Sequence, residues 1–209
     1  MSIICIKNLE KKEIQDKIKQ YEEDLELFAK ECLHIHHPVK GKIPFIFNFY
    51  QQFFDKSLNK HQKGDYLLGM RQVGKTNFLV AFTLHQILFN SGKTIGFMGT
   101  SFSSGKFFLE KLKWQYDLLP EHVKNLAKVE VSTTRKMNLS NGSSITILAL
   151  AVDAFRGFNF DTVIFDEADF IENFEEHFEM AKLTVYPHGR IIIASTPKSA
   201  EKFSEYFYL

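Results

Sequence analysis

Tyr66-Leu67-Leu68-Gly69-Met70-Arg71-Gln72-Val73-Gly74-Lys75-Thr76 is the stretch that decides how this 209-residue chain is read. Three strand-forming residues end at a glycine. Eight residues then match the pattern G-x4-G-K-T in full, and a helical run over 75–89 follows, stopped by Asn90-Ser91-Gly92. The glycines let the main chain curl so that successive N–H groups face one anion, and the helix N-terminus adds partial positive charge at the same point. In that arrangement Gly69, Arg71, Gln72, Val73 and Gly74 form a cradle for phosphates. Lys75 reaches the β- and γ-phosphates, and Thr76 ligates Mg²⁺. A chance glycine turn ahead of a helix would not match all eight positions with both flanking elements in place.

Working outward, short apolar runs alternate with helical patterns. Strands are expected over 66–68, 94–98, 143–150, 162–165 and 190–194, and helices over 50–57, 75–89 and 103–119, the last stopped by Pro120. Continuous apolar strands separated by helices predict a mostly parallel sheet covered on both faces. Asn141-Gly142, between Met137-Asn138-Leu139 and Ser144-Ile145-Thr146, predicts one antiparallel hairpin in which both turn positions take φ > 0. The fold class is α/β, a P-loop NTPase of the ASCE (RecA-like) kind.

Two further strand ends carry chemistry. Thr162-Val163-Ile164-Phe165-Asp166-Glu167 is an apolar strand closing on two carboxylates, with Asp166 lying 91 residues after Lys75. Asp166 is placed to hold Mg²⁺ and Glu167 to polarise the attacking water. Arg190-Ile191-Ile192-Ile193-Ala194-Ser195-Thr196-Pro197 ends in hydroxyls that can hydrogen-bond a γ-phosphate or a water and report nucleotide state, or simply cap a strand. Arg71, inside the loop, can contact phosphate oxygens in cis. Arg156, in Asp153-Ala154-Phe155-Arg156-Gly157-Phe158, lies 11 residues before Glu167; from sequence alone it is equally a surface salt-bridge partner.

Composition narrows the classes. Lys and Arg number 26 against 25 Asp and Glu, so bulk charge gives no sign of a nucleic-acid binder. Lys106, Lys111 and Lys113 are read as a solvated helix face or as a modest basic patch. The acidic group Glu175, Glu176 and Glu179 reads as a solvated helix face. Aromatic residues at 14% exclude a disordered chain. Two cysteines, Cys5 and Cys32, fit a reducing compartment, and no run is long enough for a membrane span. Residues 7–32, with six Lys and eight acids, place Ile14, Ile18, Leu25 and Phe28 on one helical face. That segment, 1–33, is expected to pack on the main domain of 34–209 or to serve as a docking arm. His34-Ile35-His36-His37-Pro38 opens an irregular or extended connector over 34–49; its histidines lack partners at ligand spacing.

Taken together, Tyr50-Gln51, Arg71-Gln72-Val73-Gly74-Lys75-Thr76, Asp153-Ala154-Phe155-Arg156-Gly157, Asp166-Glu167-Ala168 and Ser195-Thr196-Pro197 resemble the ATPase domain of tailed-bacteriophage large terminase subunits, over residues 34–209. The resemblance implies an ATP- and Mg²⁺-dependent ring motor, soluble in the host-cell cytoplasm. Such a motor sits on the portal protein of a procapsid, works with the small terminase subunit and pumps double-stranded DNA. It implies that Gln51 contacts adenine, Arg71 senses the γ-phosphate, Arg156 reaches a neighbouring subunit's ATP, and Ser195-Thr196 passes nucleotide state onward. The chain departs from the pattern about thirteen residues after Thr196, so an incomplete lid and no DNA cleavage by this chain are expected.

Two alternatives stand beside this resemblance. Asp166-Glu167-Ala168-Asp169 spells the box of superfamily-2 helicases, and Gln51 could then be a Q motif. Against this, the loop lacks the Gly-rich helicase form and no second lobe follows. A nucleotide-binding scaffold docking a partner through 7–32 has no need of Glu167.

Overall fold

The structure is a computed structural model and describes residues 3–60 and 64–196. The chain opens with α1 (Ile3–Glu23) and α2 (Leu25–Cys32), then a two-stranded antiparallel ribbon, β1 (His34–His37) and β2 (Gly41–Pro44). Next come α3 (Phe49–Lys60), β3 (Gly64–Leu68), α4 (Lys75–Phe89), β4 (Thr94–Met98), α5 (Phe102–Leu118) and α6 (Glu121–Lys124). Strands β5 (Val129–Ser132), β6 (Lys136–Leu139) and β7 (Ser144–Ile147) follow. A 3-10 turn over Val152–Phe155, β8 (Phe160–Asp166), a second over Ala168–Phe170, α7 (Phe174–Thr184) and β9 (Val185–Ser195) complete the described chain.

Seven strands form one sheet in the order β3-β9-β8-β4-β7-β6-β5. Five are parallel; β6 runs antiparallel to both β5 and β7. The last described strand, β9, is inserted between the P-loop strand β3 and the carboxylate strand β8. Successive side chains on a strand point to opposite faces, and here they enter two separate cores. Ile164, Ile192 and Ala194 join the core built with α2, α3, α4 and α5. Val163, Phe165, Ile191 and Ile193 join the core under α7. The continuous apolar strands seen in the sequence are the result of burial on both faces.

The structure makes several sequence expectations more specific and departs from one, the Asn141-Gly142 turn. The 7–32 stretch is broken at Asp24, whose carboxylate caps α2 by accepting the Leu27 N–H at 2.8 Å. Phe28 and Ala29 are fully buried in the same core as Phe78 and Leu79, so that core runs unbroken across residue 33. The 34–44 connector forms a ribbon, with His37 Nδ1 accepting the Val39 and Lys40 N–H groups in its turn, both at 3.1 Å. At the Asn141-Gly142 turn only Gly142 has positive φ (82°). Asn141 instead spends its side chain on the end of α4, donating to the carbonyls of Ile87 (2.9 Å) and Asn90 (3.2 Å). The connection is longer than two residues: the Gly142 N–H closes onto the Leu139 carbonyl at 3.0 Å and the Leu139 N–H onto the Ser143 carbonyl at 2.8 Å, a loop that needs one left-handed residue, Gly142. Among the described residues, no helix is long and apolar enough to cross a membrane.

Candidate nucleotide site

The loop from Gly69 to Gly74 joins the end of β3 to the start of α4, as its sequence demands. Gln72 and Gly74 hold positive φ of 65° and 84° on either side of Val73. A Cβ at Gly74 would run into the side-chain amide of Gln51, and one at Gly69 would press on Val73 Cγ2 at 3.2 Å. Gly74 requires glycine for both conformation and space, while at Gly69 a Cβ would be accommodated only if Val73 yielded by a few tenths of an ångström.

Lys75, at 4% exposure, is folded over the loop. Its ammonium donates to the carbonyls of Gly69 (3.2 Å) and Met70 (3.3 Å) and to the Thr196 hydroxyl (2.8 Å), and lies 3.7 Å from Glu167 Oε1. One residue on, Thr76 Oγ1 donates to Asp166 Oδ2 at 2.8 Å. Strand parity explains this meeting. Asp166 shares a face with Ile164, which packs in the α4 core, so its carboxylate is delivered to the first turn of α4.

Asp166 is buried, and its Oδ1 is a buried oxygen without a hydrogen-bond partner. Burial pushes its carboxyl up to about 6, opposed by the Thr76 hydrogen bond. A hydroxyl and a carboxylate with a free buried oxygen form a hard, oxygen-only donor set, and these residues fit Mg²⁺. Among the described residues no cluster of three or more His, Cys, Asp or Glu could hold a metal unaided, so phosphate and water oxygens would have to complete the shell.

Glu167 stands in the left-handed region (φ 55°, ψ 48°), held by a turn in which its carbonyl accepts the Phe170 N–H at 2.9 Å. A non-glycine residue there is strained by ~1–3 kcal/mol, and such strain collects at functional sites. The turn carries the Glu167 carboxylate to Thr196, where Oε2 accepts the backbone N–H at 3.0 Å and Oε1 faces the hydroxyl at 3.4 Å. Thr196 thereby touches both Lys75 and Glu167. Ser195 faces the other side of β9 and is fully buried, its hydroxyl accepting the Asp169 N–H at 3.1 Å. Of the hydroxyl pair, only Thr196 enters the phosphate side; Pro197 lies outside the described residues.

The remaining predicted residues are placed as follows. Gln51 is buried, its amide donating to the Gly74 carbonyl at 3.0 Å and accepting the Asn48 N–H at 2.9 Å. Arg71 is exposed, its guanidinium 5.9 Å from the Phe170 ring centroid. Arg156 is exposed in the segment between β7 and β8, where it lines a 390 Å³ groove with Arg135 and Lys136 that none of residues 69–76 lines. Of the three α5 lysines, Lys111 is half-buried and donates to Asn77 Oδ1 at 3.1 Å, one residue beyond Thr76. Lys113 donates to the Thr133 carbonyl and Lys106 pairs with Glu110 at 3.7 Å, so the three do not form one free basic row. Asn48 escaped the sequence reading because it belongs to no spaced motif, and Lys111, read there as part of a solvated face or basic patch, is brought to the first turn of α4 only by the packing of α5.

Solved structures share this fold. The large terminase of bacteriophage HK97 superposes with a TM-score of 0.67 at 16% identity, covering 83% of this chain and 37% of that one. The large terminase ATPase domain of Thermus phage P74-26 gives 0.58 at 19%, covering 77% and 68%. The large terminase of a thermophilic bacteriophage in complex with ADP gives 0.56 at 13%, covering 76% and 43%. The chain therefore spans under half the length of the HK97 protein and of the ADP-bound one. A family described as "Terminase large subunit, T4likevirus-type, N-terminal" matches residues 66–208, more than half of the chain. With the loop, the paired carboxylates and the inserted strand in one site, the chain belongs to the terminase large subunit family.

Proposed function

We propose that this chain is the Mg²⁺-dependent ATP-hydrolysing part of a DNA-packaging motor, acting in a ring on a portal and moving double-stranded DNA into a procapsid. The small terminase subunit would be a further partner. The observation that carries the reading is the convergence of Lys75, Thr76, Asp166, Glu167 and Thr196 at the ends of β3, β8 and β9. ATP-binding residues are Gly69 through Thr76, with Gln51 behind the loop.

Each residue has a task its geometry suits. N–H groups of 70–76 face the phosphates, and the Lys75 ammonium exchanges its two loop carbonyls and Thr196 for β/γ-phosphate oxygens. That exchange releases Glu167 from Lys75, freeing its carboxylate to take a proton as water adds to the γ-phosphorus and the bond to the β-phosphate oxygen breaks. Thr76 and Asp166 would hold Mg²⁺, which when bound neutralises charge on the β- and γ-phosphates. Thr196, sharing hydrogen bonds with both Lys75 and Glu167, registers whether phosphate has drawn Lys75 away and passes this along β9. Arg71, inside the loop, is proposed to act in cis. Arg156 is proposed to act on the nucleotide of a neighbouring copy.

Lys75→Ala tests the reading directly. A fluorescent ATP analogue should bind the wild-type chain in Mg²⁺ and fail to bind the variant. Hydrolysis retained at a substantial fraction of wild type would remove the loop from the mechanism.

A further inference from the structure

Helix α3 starts at Asn48 with a reciprocal cap. Asn48 Oδ1 accepts the Gln51 N–H at 3.1 Å, and Gln51 Oε1 accepts the Asn48 N–H at 2.9 Å. Capping uses only the two side-chain oxygens. Both amide nitrogens remain, and both are aimed at the phosphate loop: Asn48 Nδ2 donates to the Val73 carbonyl at 3.1 Å and Gln51 Nε2 to the Gly74 carbonyl at 3.0 Å.

The Gly74 carbonyl also accepts the Phe78 N–H at 3.0 Å, the first bond of α4, whereas the Val73 carbonyl, ahead of the helix, takes the Asn48 amide. Val73 lies between two residues of positive φ. A backbone that changes hand in this way gathers N–H groups on its concave side and sends carbonyls to the convex side. A carbonyl left without a donor is costly, so the curled form of the loop depends on the Asn48 amide reaching the Val73 carbonyl from behind, and Gln51 adds a second N–H to the Gly74 carbonyl that starts α4. The fit is close: a Cβ on Gly74 would strike Gln51, with Asn48 Nδ2 3.8 Å away. Gln51 is only 3% exposed.

We propose that Asn48 and Gln51 form a clamp that holds the loop in its phosphate-binding curvature. Asn48 is thereby a positioning residue for nucleotide binding, and Gln51 acts on the nucleotide through the Gly74 carbonyl. The clamp rests on the triphosphate reading of the loop. It also makes the α3 N-terminus and the loop one mechanical unit, so whatever displaces α3 opens the cradle.

The test separates cap from clamp. Serine caps a helix about as well as asparagine, but its hydroxyl ends short of the Val73 carbonyl, so Asn48→Ser removes the clamp bond and keeps the cap. Gln51→Glu keeps the oxygen that accepts the Asn48 N–H and removes the donor to Gly74. The full chain in Mg²⁺ would be titrated with a fluorescent ADP analogue. Backbone amide exchange over 69–76 would be followed without nucleotide, and thermal midpoints recorded. Asn48→Ser is expected to weaken binding about five- to tenfold, the worth of one buried hydrogen bond, to speed exchange over 69–76, and to lower the midpoint by no more than ~4 °C. Gln51→Glu should weaken binding further. Wild-type affinity and exchange in Asn48→Ser would overturn the clamp while leaving the triphosphate reading standing. Affinity lost only in step with a fallen midpoint would also overturn it, as a plain loss of fold stability. Wild-type protein that binds no analogue would refute the triphosphate reading itself, and the clamp with it.

Discussion

Arg156→Ala puts the division of labour between subunits to a quantitative test. Arg156 lies in the crossover between β7 and β8, where it lines a groove with Arg135 and Lys136 that none of residues 69–76 lines. On the proposed trans role it serves the nucleotide of a neighbouring copy, so a monomer should lose nothing when it is removed. An arginine supplied in trans contributes about 10³–10⁵ in rate, so the assembly-stimulated part of turnover should collapse by that order.

The assay is steady-state ATPase as a function of protein concentration, with and without portal, for Arg156→Ala, Glu167→Gln and a 1:1 mixture. Each variant alone should be inactive in the assembled state. In a heterologous ring each active site faces the next subunit's arginine. Random mixing then pairs an intact Glu167 with an intact Arg156 at about a quarter of the interfaces, which sets the expected recovery. A mixture no more active than its components would refute the trans assignment, as would a dilute monomer that loses its basal rate with Arg156.

Three further outcomes follow from the same geometry. Glu167→Gln keeps the shape of the side chain and its acceptor for the Thr196 N–H but cannot take a proton, so ATP binding should persist while turnover falls ~10²–10⁴-fold; single-turnover and equilibrium binding measurements separate the two. Asp55 is pushed up to about 6 by burial and by the neighbouring Asp24 and Glu26. A carboxyl raised on folding binds its proton more tightly in the folded state. Its stability contribution is therefore present at low pH and lost as pH rises from about 4 through 6. Asp55→Asn should accordingly raise the thermal midpoint at pH 8 by ~2–4 °C, about 1 kcal/mol after allowance for solvent screening, and leave it unchanged near pH 4. Phe28→Ala empties a fully buried site where the ring meets Tyr21, His85 and Phe89 edge-on. A cost of about 3–5 kcal/mol in denaturant unfolding is expected, and a cost under ~1 kcal/mol would place α2 outside the cooperative core.

The local sequence determined a great deal. Gly69 to Thr76 was legible because all eight positions match one pattern between a strand and a helix, and at Gly74 positive φ and close approach leave little choice but glycine. Asp166-Glu167 was legible because an apolar run ending in two acids has one natural place, a buried strand's exposed end. The alternation of strands and helices announced the layered sheet, since each element shows its own period.

Tertiary structure alone decided what depends on which neighbour arrives. No periodicity reveals that β9 inserts between β3 and β8, yet that insertion brings Thr196 between Lys75 and Glu167. Ser195 and Thr196 are chemically alike in sequence; strand parity sends one to the α7 side and the other to the phosphate. Gln51 looks like a free base-reading amide until the Gly74 carbonyl is found against it, and Lys111 looks solvated until Asn77 comes within 3.1 Å. Local conformation is governed by the residue's own sterics and by hydrogen bonds a few positions away, which a sequence displays. Partners tens of residues apart are chosen by the packing of whole elements, whose free energy is spread over many contacts and is written in no single motif.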